Sequence, residues 1–266
     1  MNPVREAFAA TRSRGRAALV PYLTAGDPSP EATVARAEGL ADGGADLLEL
    51  GVPFSDPLAD GPVIQRATER ALAAGTTVAD VLRCTERVRA STGLAVVIMT
   101  YLNPVLRYGW DAFARDAAAA GAGGILLTDV PPEEAEPFRA AASERSLGTV
   151  FLVAPTSGAE RIRRAAEAST GFVYCVTRLG VTGARTGMSD AFRPVLEKVR
   201  EVTDVPVGLG FGISTAAHAR EAAALADGVI VGSRLVALAD EAGDRAPEVL
   251  RDAARELREA IEGARA

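Results

Sequence analysis

Eight short apolar runs recur along the chain, at residues 18–23, 46–52, 95–101, 124–129, 149–154, 172–177, 207–210 and 228–232. They are rich in Val, Ile and Leu and show little polar alternation, the character of strands buried on both faces. Stretches with helical periodicity lie between them and after the last: 31–43, 67–74 paired with 78–90, 110–120, 132–146, 159–168, 190–202, 214–226 and 247–263. Asp27-Pro28-Ser29-Pro30 offers a cap and a start for the first of these helices. Regular alternation of strand and helix makes the strands parallel, because each helix carries the chain back to the start of the next strand. Eight such units without a linker or composition break predict an α/β chain closed into one (β/α)8 TIM barrel, a single domain over residues 1–266. An open doubly wound sheet is the other arrangement of the same units.

Composition narrows the partners. Net charge is −6 and no basic stripe stands out, so nucleic acid is not an expected partner. An anionic substrate remains compatible, since backbone dipoles bind phosphate without a positive surface. Residues 1–16 carry charges but no apolar run, which is not the pattern of a signal peptide, and no stretch approaches the ~20 apolar residues of a membrane span. Cys84 falls in a helical pattern and Cys175 in a strand, without metal-ligand spacing, so both are expected as reduced packing residues of a cytoplasmic protein.

Two scarcities restrict the chemistry. His218 is the single histidine and Lys198 the single lysine, and both fall in helical stretches. A Schiff-base lysine rises from a strand end into a pocket, and Lys198 in Val195-Leu196-Glu197-Lys198-Val199 does not have that setting. A metal site built on several histidines is excluded, and no metal is expected. Any catalysis has to rest on carboxylates, hydroxyls and backbone groups.

In a barrel of this kind function sits in the loops that follow the strands. Those segments are the unusual ones here: Thr24-Ala25-Gly26-Asp27-Pro28, Pro53-Phe54-Ser55-Asp56-Pro57, Asn103-Pro104, Asp129-Val130-Pro131, Pro155-Thr156, residues 178–188, Phe211-Gly212-Ile213-Ser214 and Gly232-Ser233. The segments before the strands are short and small, as in Asp42-Gly43-Gly44-Ala45. Gly208-Leu209-Gly210-Phe211-Gly212-Ile213-Ser214 and Gly228-Val229-Ile230-Val231-Gly232-Ser233 each join a strand to a helix. Glycines admit an anion to the backbone and a helix N-terminus aims free N–H groups at it, so the loops after strands seven and eight form a candidate phosphate site. The alternative is that these glycines only make tight turns and Ser214 only caps a helix.

Glu49 lies inside the second strand, in Leu47-Leu48-Glu49-Leu50-Gly51. Buried parallel strands rarely hold a carboxylate without a role. Alternation puts Glu49 opposite Leu48 and Leu50, hence inside the barrel, where burial raises its pKa toward neutrality and suits it to give and take a proton. A structural ion pair is the alternative, although no strand interior before Arg178 supplies an arginine. Asp60, Asp56 and Asp129 each read equally well as turn or capping residues. Residues 178–187, rich in Gly and Thr and without periodicity, form either a lid or a surface loop.

Together these motifs resemble the tryptophan synthase alpha chain family. The stretch Leu48-Glu49-Leu50-Gly51-Val52-Pro53-Phe54-Ser55-Asp56-Pro57-Leu58-Ala59-Asp60-Gly61-Pro62 is similar to its signature, and Pro21-Tyr22-Leu23-Thr24-Ala25-Gly26-Asp27-Pro28, Asn103-Pro104, Asp129-Val130-Pro131, Gly180-Val181-Thr182-Gly183 and Gly210-Phe211-Gly212-Ile213-Ser214 follow in order. The resemblance covers essentially the whole chain. It implies a lyase that splits indole-3-glycerol phosphate into indole and D-glyceraldehyde 3-phosphate in L-tryptophan biosynthesis, with Glu49 and Asp60 as the catalytic pair. It implies that Tyr174 is a pocket tyrosine and Thr182 a lid residue closing on the aspartate. It further implies phosphate-binding positions at Gly183, Gly212, Gly232 and Ser233, and an indole pocket lined by Tyr22, Met99, Tyr101 and Phe211. The family's partner is a beta chain in an α2β2 complex. The resemblance places pyridoxal phosphate on that partner, with no cofactor on this chain. Departures are small: Tyr22 where the family often has Phe, Met99 where it often has Leu, and Thr177 where Ser usually precedes the lid arginine. A stand-alone lyase releasing free indole would use the same residues. A barrel kept as an allosteric binding partner, or a sugar-phosphate isomerase, fits less well with Glu49 and Asp60 both in place.

Overall fold

The computed structural model of the chain describes residues 2–176, 188–210 and 212–264. Its centre is a closed barrel of parallel strands β1 (Ala18–Thr24), β2 (Leu47–Gly51), β3 (Ala95–Thr100), β4 (Ala122–Leu127), β5 (Gly148–Val153), β6 (Phe172–Val176), β7 (Val207–Gly210) and β8 (Gly228–Val231), hydrogen-bonded in sequence order with β8 returning to β1. Around it run α1 (Pro3–Ser13), α2 (Pro30–Asp42), α3 (Pro62–Ala73), α4 (Val78–Thr92), α5 (Leu102–Tyr108), α6 (Trp110–Ala119), α7 (Glu136–Ser143), α8 (Ala159–Ala168), α9 (Met188–Arg200), α10 (Ala216–Leu225), α11 (Ser233–Ala242) and α12 (Ala246–Glu262). Every strand predicted from the apolar runs is present, and the open-sheet alternative is ruled out by closure.

Strand alternation divides the core in two. Leu19, Leu48, Leu50, Val96, Ile98, Ile125, Val173, Leu209 and Val229 point outward into one cluster with helical residues such as Leu40, Val88, Phe113, Phe138 and Leu250. Val20, Leu47, Val97, Leu126, Val150, Phe172 and Ile230 fill the barrel interior. A strand in this setting has no solvent face, which is why its sequence reads as an unbroken apolar run. Glu49 shares the inward parity of Leu47.

Five elements depart from the sequence expectation. Helix α1 closes the N-terminal mouth: Asn2 caps it by accepting from Arg5 N (2.9 Å), Val4 and Phe8 join the interior cluster, and Phe8 stacks on Phe172 with centroids 5.4 Å apart. Gly228 makes room for it, since a Cβ there would lie 2.8 Å from the Phe8 ring. Asn103-Pro104 is helical rather than loop, in α5, and Asp129 Oδ1 accepts from Leu102 N (2.8 Å) to hold that helix start. Helix α3 begins at Pro62, a proline at the first helical position, where its missing N–H costs nothing. The expected helix over 132–146 is a 3-10 turn, Pro132–Glu134, followed by α7. The helix into which Gly232-Ser233 leads is α11, a separate element ahead of α12, whose stretch was expected over 247–263.

Ion pairs pin the two ends of the barrel. At the base, Asp46 accepts from Arg16 (2.8 and 2.9 Å), Leu19 N (2.8 Å) and Arg258 of α12. At the opposite end, Asp27 in the loop after β1 is buried and accepts from Arg70 of α3 (2.7 and 2.9 Å) and Arg36 of α2 (3.4 Å). Lys198 is exposed on α9, outside the barrel. Cys84 and Cys175 are free and buried.

Candidate active site

Glu49 sits near the C-terminal end of β2, 2 % exposed, in register with Tyr22 of β1 and Val97 of β3. Its Oε1 has no hydrogen-bond partner among the described residues. Burial, with the Asp60 charge second, pushes its carboxyl up to about 8. Among the described residues no arginine pairs with it, whereas Asp46 and Asp27 both have theirs. At neutral pH Glu49 is therefore a carboxylic acid facing the barrel interior, able to donate a proton and take one back.

Asp60 lies close enough for its charge to act on Glu49, and it comes from the loop between β2 and α3. That loop is tied down by its own backbone: Asp60 N donates to Pro57 O (3.1 Å) and Gln65 Nε2 donates to Asp60 O (2.9 Å). Tyr101, just past β3, is the hinge between loop and barrel. Its hydroxyl accepts from Ala59 N (3.1 Å) and donates to Asp60 Oδ2 (3.1 Å), and its ring lies 5.3 Å from that of Phe54. Burial raises the Asp60 pKa, while the Tyr101 hydrogen bond favours the ionised form and opposes the rise. Among the described residues the two carboxyls thus differ in kind: one has a donor for its charged form and the other has none.

Three phenols surround the pair. Tyr22, Tyr101 and Tyr174 are each at most 7 % exposed, and burial holds all three hydroxyls well above the ordinary tyrosine range, with Asp60 or Glu49 adding to the effect. They stay protonated and serve as donors. Glycines make their room: a Cβ on Gly210 would lie 2.6 Å from the Tyr174 hydroxyl, and one on Gly51 would collide with that of Tyr22. Met99 is partly buried and packs beside Tyr22.

The glycine loops occupy the rim over β7 and β8. Gly212 has φ +80°, a conformation that favours glycine. Helix α10 follows with Thr215 as its N-cap, accepting from His218 N (3.2 Å). Helix α11 opens directly at Ser233 with Gly232 at the N-cap and no side-chain cap, while Leu235 N and Val236 N donate to Gly232 O (2.8 and 3.1 Å). Gly232 and Ser233 are joined to the carboxyl pair through Tyr22, since a Cβ on Gly232 would sit 3.5 Å from Tyr22 Cβ. Thr182, Gly183 and Phe211, with the lid segment, lie outside the described residues. Asp56 is exposed and accepts from Ser55 Oγ (2.6 Å), and Asp129 serves α5, so neither joins the site. Sequence reasoning passed over Thr24, Gly51 and Gln65. For Gln65 a signal existed, since a long amide in the first turn of a helix commonly reaches back to the preceding backbone. Among the described residues no cluster of His, Cys, Asp and Glu could hold a metal ion.

The sequence profile of the tryptophan synthase alpha chain family matches residues 8–264. The tryptophan synthase alpha chain of Alkalilimnicola ehrlichii is 52 % identical over 268 residues, covering 99 % of this chain and 97 % of that one. That of Solibacter usitatus is 51 % identical over 246 residues, 92 % of each chain. Among solved structures, tryptophan synthase from M. tuberculosis in an open form superposes with a TM-score of 0.90 at 43 % identity, covering 98 % of this chain and 99 % of that chain. The alpha subunit from Legionella pneumophila gives 0.88 at 38 % identity, with 99 % of each chain covered. The chain belongs to the tryptophan synthase alpha chain family, the lyases that cleave indole-3-glycerol phosphate to indole and glyceraldehyde 3-phosphate.

Proposed function

We propose that Glu49 and Asp60 carry this cleavage between them. Breaking the bond from indole C3 to the glycerol carbon is a retro-aldol step that needs an electron sink. The substrate supplies one. The Glu49 carboxylic acid protonates indole C3, giving an indoleninium whose C=N⁺ accepts electrons. The Glu49 carboxylate left behind takes the proton of the adjacent chain hydroxyl, the C–C bond breaks toward the ring, and the chain carbon becomes the aldehyde. Glu49 ends protonated as it began. Asp60 stays ionised, binds the indole N–H and stabilises the positive ring. The observation that carries this assignment is the contrast at the pair: Glu49 buried, unpartnered and held near 8, Asp60 with a phenol donor on its carboxylate.

The remaining assignments follow the same logic. Gly212, Gly232 and Ser233 bind the phosphate with Gly183. Tyr22, Met99, Tyr101, Tyr174 and Phe211 line the ring's pocket, and Thr182 closes on Asp60. The partner is a tryptophan synthase beta chain in an α2β2 assembly, and pyridoxal phosphate belongs to that partner. Docking uses the mouth of the barrel, through residues 53–60, Asn103-Pro104 and Pro131-Pro132. Leu58, 91 % exposed in the Asp60 loop, is an apolar side chain that such a partner would cover. No helix among the described residues is long and apolar enough to cross a membrane, and we place this single-domain enzyme in the cytoplasm.

The test is indole release from indole-3-glycerol phosphate by the purified chain, alone and with a beta chain. Slow release that the partner strongly accelerates is expected. Fast release without a partner would mark a stand-alone lyase. Near-normal turnover by Glu49→Gln would overturn the catalytic assignment, since loss of a general acid–base costs about 10²-fold or more.

A further inference from the structure

The ring of Tyr22 lines the pocket, but its hydroxyl has no part in the cleavage chemistry. β1 lies between β8 and β2 in the closed sheet. Going round the mouth, the order is therefore Gly232 at the end of β8, Tyr22 on β1, and Glu49 on β2. The substrate has a matching order along its chain: phosphate, a methylene, a middle hydroxyl, then the hydroxyl next to indole C3 on which Glu49 acts. Tyr22 spans the gap between the two ends. Its Cβ borders Gly232 and its hydroxyl reaches over Gly51, the strand position two beyond Glu49.

The hydroxyl is not alone. Tyr22 Oη and Thr24 Oγ1 are 3.3 Å apart, both residues are 4 % exposed, and either oxygen can donate. Two hydroxyls carry two protons, and their mutual hydrogen bond uses one. The other is free for an oxygen placed between phosphate and ring. Among the described residues no carboxylate takes it: Asp60 Oδ2 is served by Tyr101 at 3.1 Å, and Glu49 Oε1 has no partner. Since burial keeps the Tyr22 phenol protonated, the pair remains a donor at every pH at which the enzyme works.

We propose that the Tyr22–Thr24 hydroxyl pair hydrogen-bonds the middle hydroxyl of the substrate's glycerol chain, the one that becomes the 2-hydroxyl of glyceraldehyde 3-phosphate, and so selects a hydroxylated chain over a deoxy one. This rests on the assignment of Glu49 to the ring end and Gly232 to the phosphate end. A buried donor left without its acceptor penalises the deoxy chain, which is how a site built around a hydroxyl discriminates more sharply than an apolar one.

The experiment compares wild type with Tyr22→Phe, which keeps the ring and removes only the hydroxyl. Two substrates are used: indole-3-glycerol phosphate and its analogue lacking the middle hydroxyl. A third measurement is the Kd of indole-3-propanol phosphate, which has ring, chain and phosphate but neither hydroxyl. Tyr22→Phe is expected to lower kcat/KM for the full substrate by roughly 2- to 12-fold, the range of one neutral hydrogen bond. It is expected to leave kcat/KM for the deoxy analogue and the Kd for the propanol phosphate within about twofold of wild type, so that the preference for the hydroxylated chain shrinks by the same 2- to 12-fold. Equal losses on both substrates, or a weakened Kd for the propanol phosphate, would show that Tyr22 only packs, and no loss on either would show its hydroxyl idle; each outcome overturns the proposal. Glu49→Gln in the same assay separates the two assignments: if it retains turnover, the assignment of the carboxyl end fails, whatever Tyr22→Phe does.

Discussion

Tyr101 donates to Asp60 Oδ2 at 3.1 Å while accepting from Ala59 N at 3.1 Å, so one phenol fixes both the loop that carries Asp60 and the ionisation of its carboxylate. Burial raises the Asp60 pKa and this hydrogen bond lowers it. Tyr101→Phe removes only the lowering contribution. The Asp60 pKa then climbs, and the ionised form is lost at a higher pH as the medium is acidified. We expect the acid limb of the kcat/KM profile to move to higher pH and the plateau to fall roughly 2- to 12-fold from the lost hydrogen bond. An unmoved acid limb would mean that Tyr101 positions the loop without tuning the carboxylate.

Glu49 makes a stability prediction opposite in sign to its catalytic one. Its folded pKa, about 8, stands above the ordinary 4.5. Below 4.5 both folded and unfolded chains hold the proton and nothing is lost. Between 4.5 and 8 the unfolded chain sheds a proton that the folded chain keeps, so stability declines as pH rises through that window and levels off above it. The full span corresponds to at most about 5 kcal/mol. Gln does not titrate. Glu49→Gln is therefore expected to unfold at a higher temperature than wild type, by a margin that is small at pH 5 and widens toward pH 8, while turnover falls about 10²-fold or more. A margin independent of pH would contradict the raised pKa.

Much of the molecule was legible because buried parallel strands write themselves as apolar runs, and because a lone carboxylate in such a run, Glu49, has few ordinary explanations. The barrel, its strand order and the inward face of Glu49 all follow from alternation. What was missed has physical reasons. Helix α1 buries Val4, Phe8 and Thr11 against the barrel base, but its stretch is otherwise Arg, Glu and Ala and reads as a charged tail. Helix α5 contains Pro104 in its first turn, and proline after asparagine has the look of a turn. The hydroxyl of Thr24 and the missing side chain of Gly51 acquire meaning only when Tyr22 of the neighbouring strand is placed across from them. Such contacts depend on strand register, which sequence spacing does not reveal.

The base of the barrel separates stability from catalysis. Asp46 binds Arg16, Leu19 N and Arg258, with side chains only 11, 12 and 9 % exposed for Asp46, Arg16 and Arg258. Removing the carboxylate takes the shared anionic partner from two shielded guanidinium groups, leaving Arg258 with Gly44 O and Arg16 with Ala17 O, and leaves Leu19 N without its acceptor. Asp46→Ala is expected to destabilise by about 3–5 kcal/mol, a fall in Tm on the order of 10 °C. Because Asp46 lies at the end remote from the site, kcat/KM of the folded enzyme should stay within about twofold of wild type at 20 °C. A large loss of kcat/KM with Tm unchanged would place Asp46 in the working machinery instead.

The fit of Tyr22 over Gly51 can be tested as a pair. A methyl group on Gly51 would lie 2.6 Å from Tyr22 Cζ and 2.8 Å from Cε2, and nearer still to the hydroxyl oxygen. The ring has no easy retreat, because its other side meets Gly232 and the apolar group of Ile64, Ala67 and Val236. Gly51→Ala should therefore destabilise by about 1–3 kcal/mol, the usual cost of overpacking. It should also displace Tyr22 enough to lower kcat/KM by about 10²-fold, since an ångström of misplacement near reacting groups has that effect. Tyr22→Phe deletes the atom that collides hardest. In the double variant the added methyl meets only the ring edge, so unfolding in urea should show Gly51→Ala,Tyr22→Phe to be more stable than the sum of the single losses by about 0.5–3 kcal/mol. Strict additivity would show that the phenol hydroxyl does not rest against Gly51, and would remove with it the path by which Tyr22 reaches from the phosphate loop to the carboxyl pair.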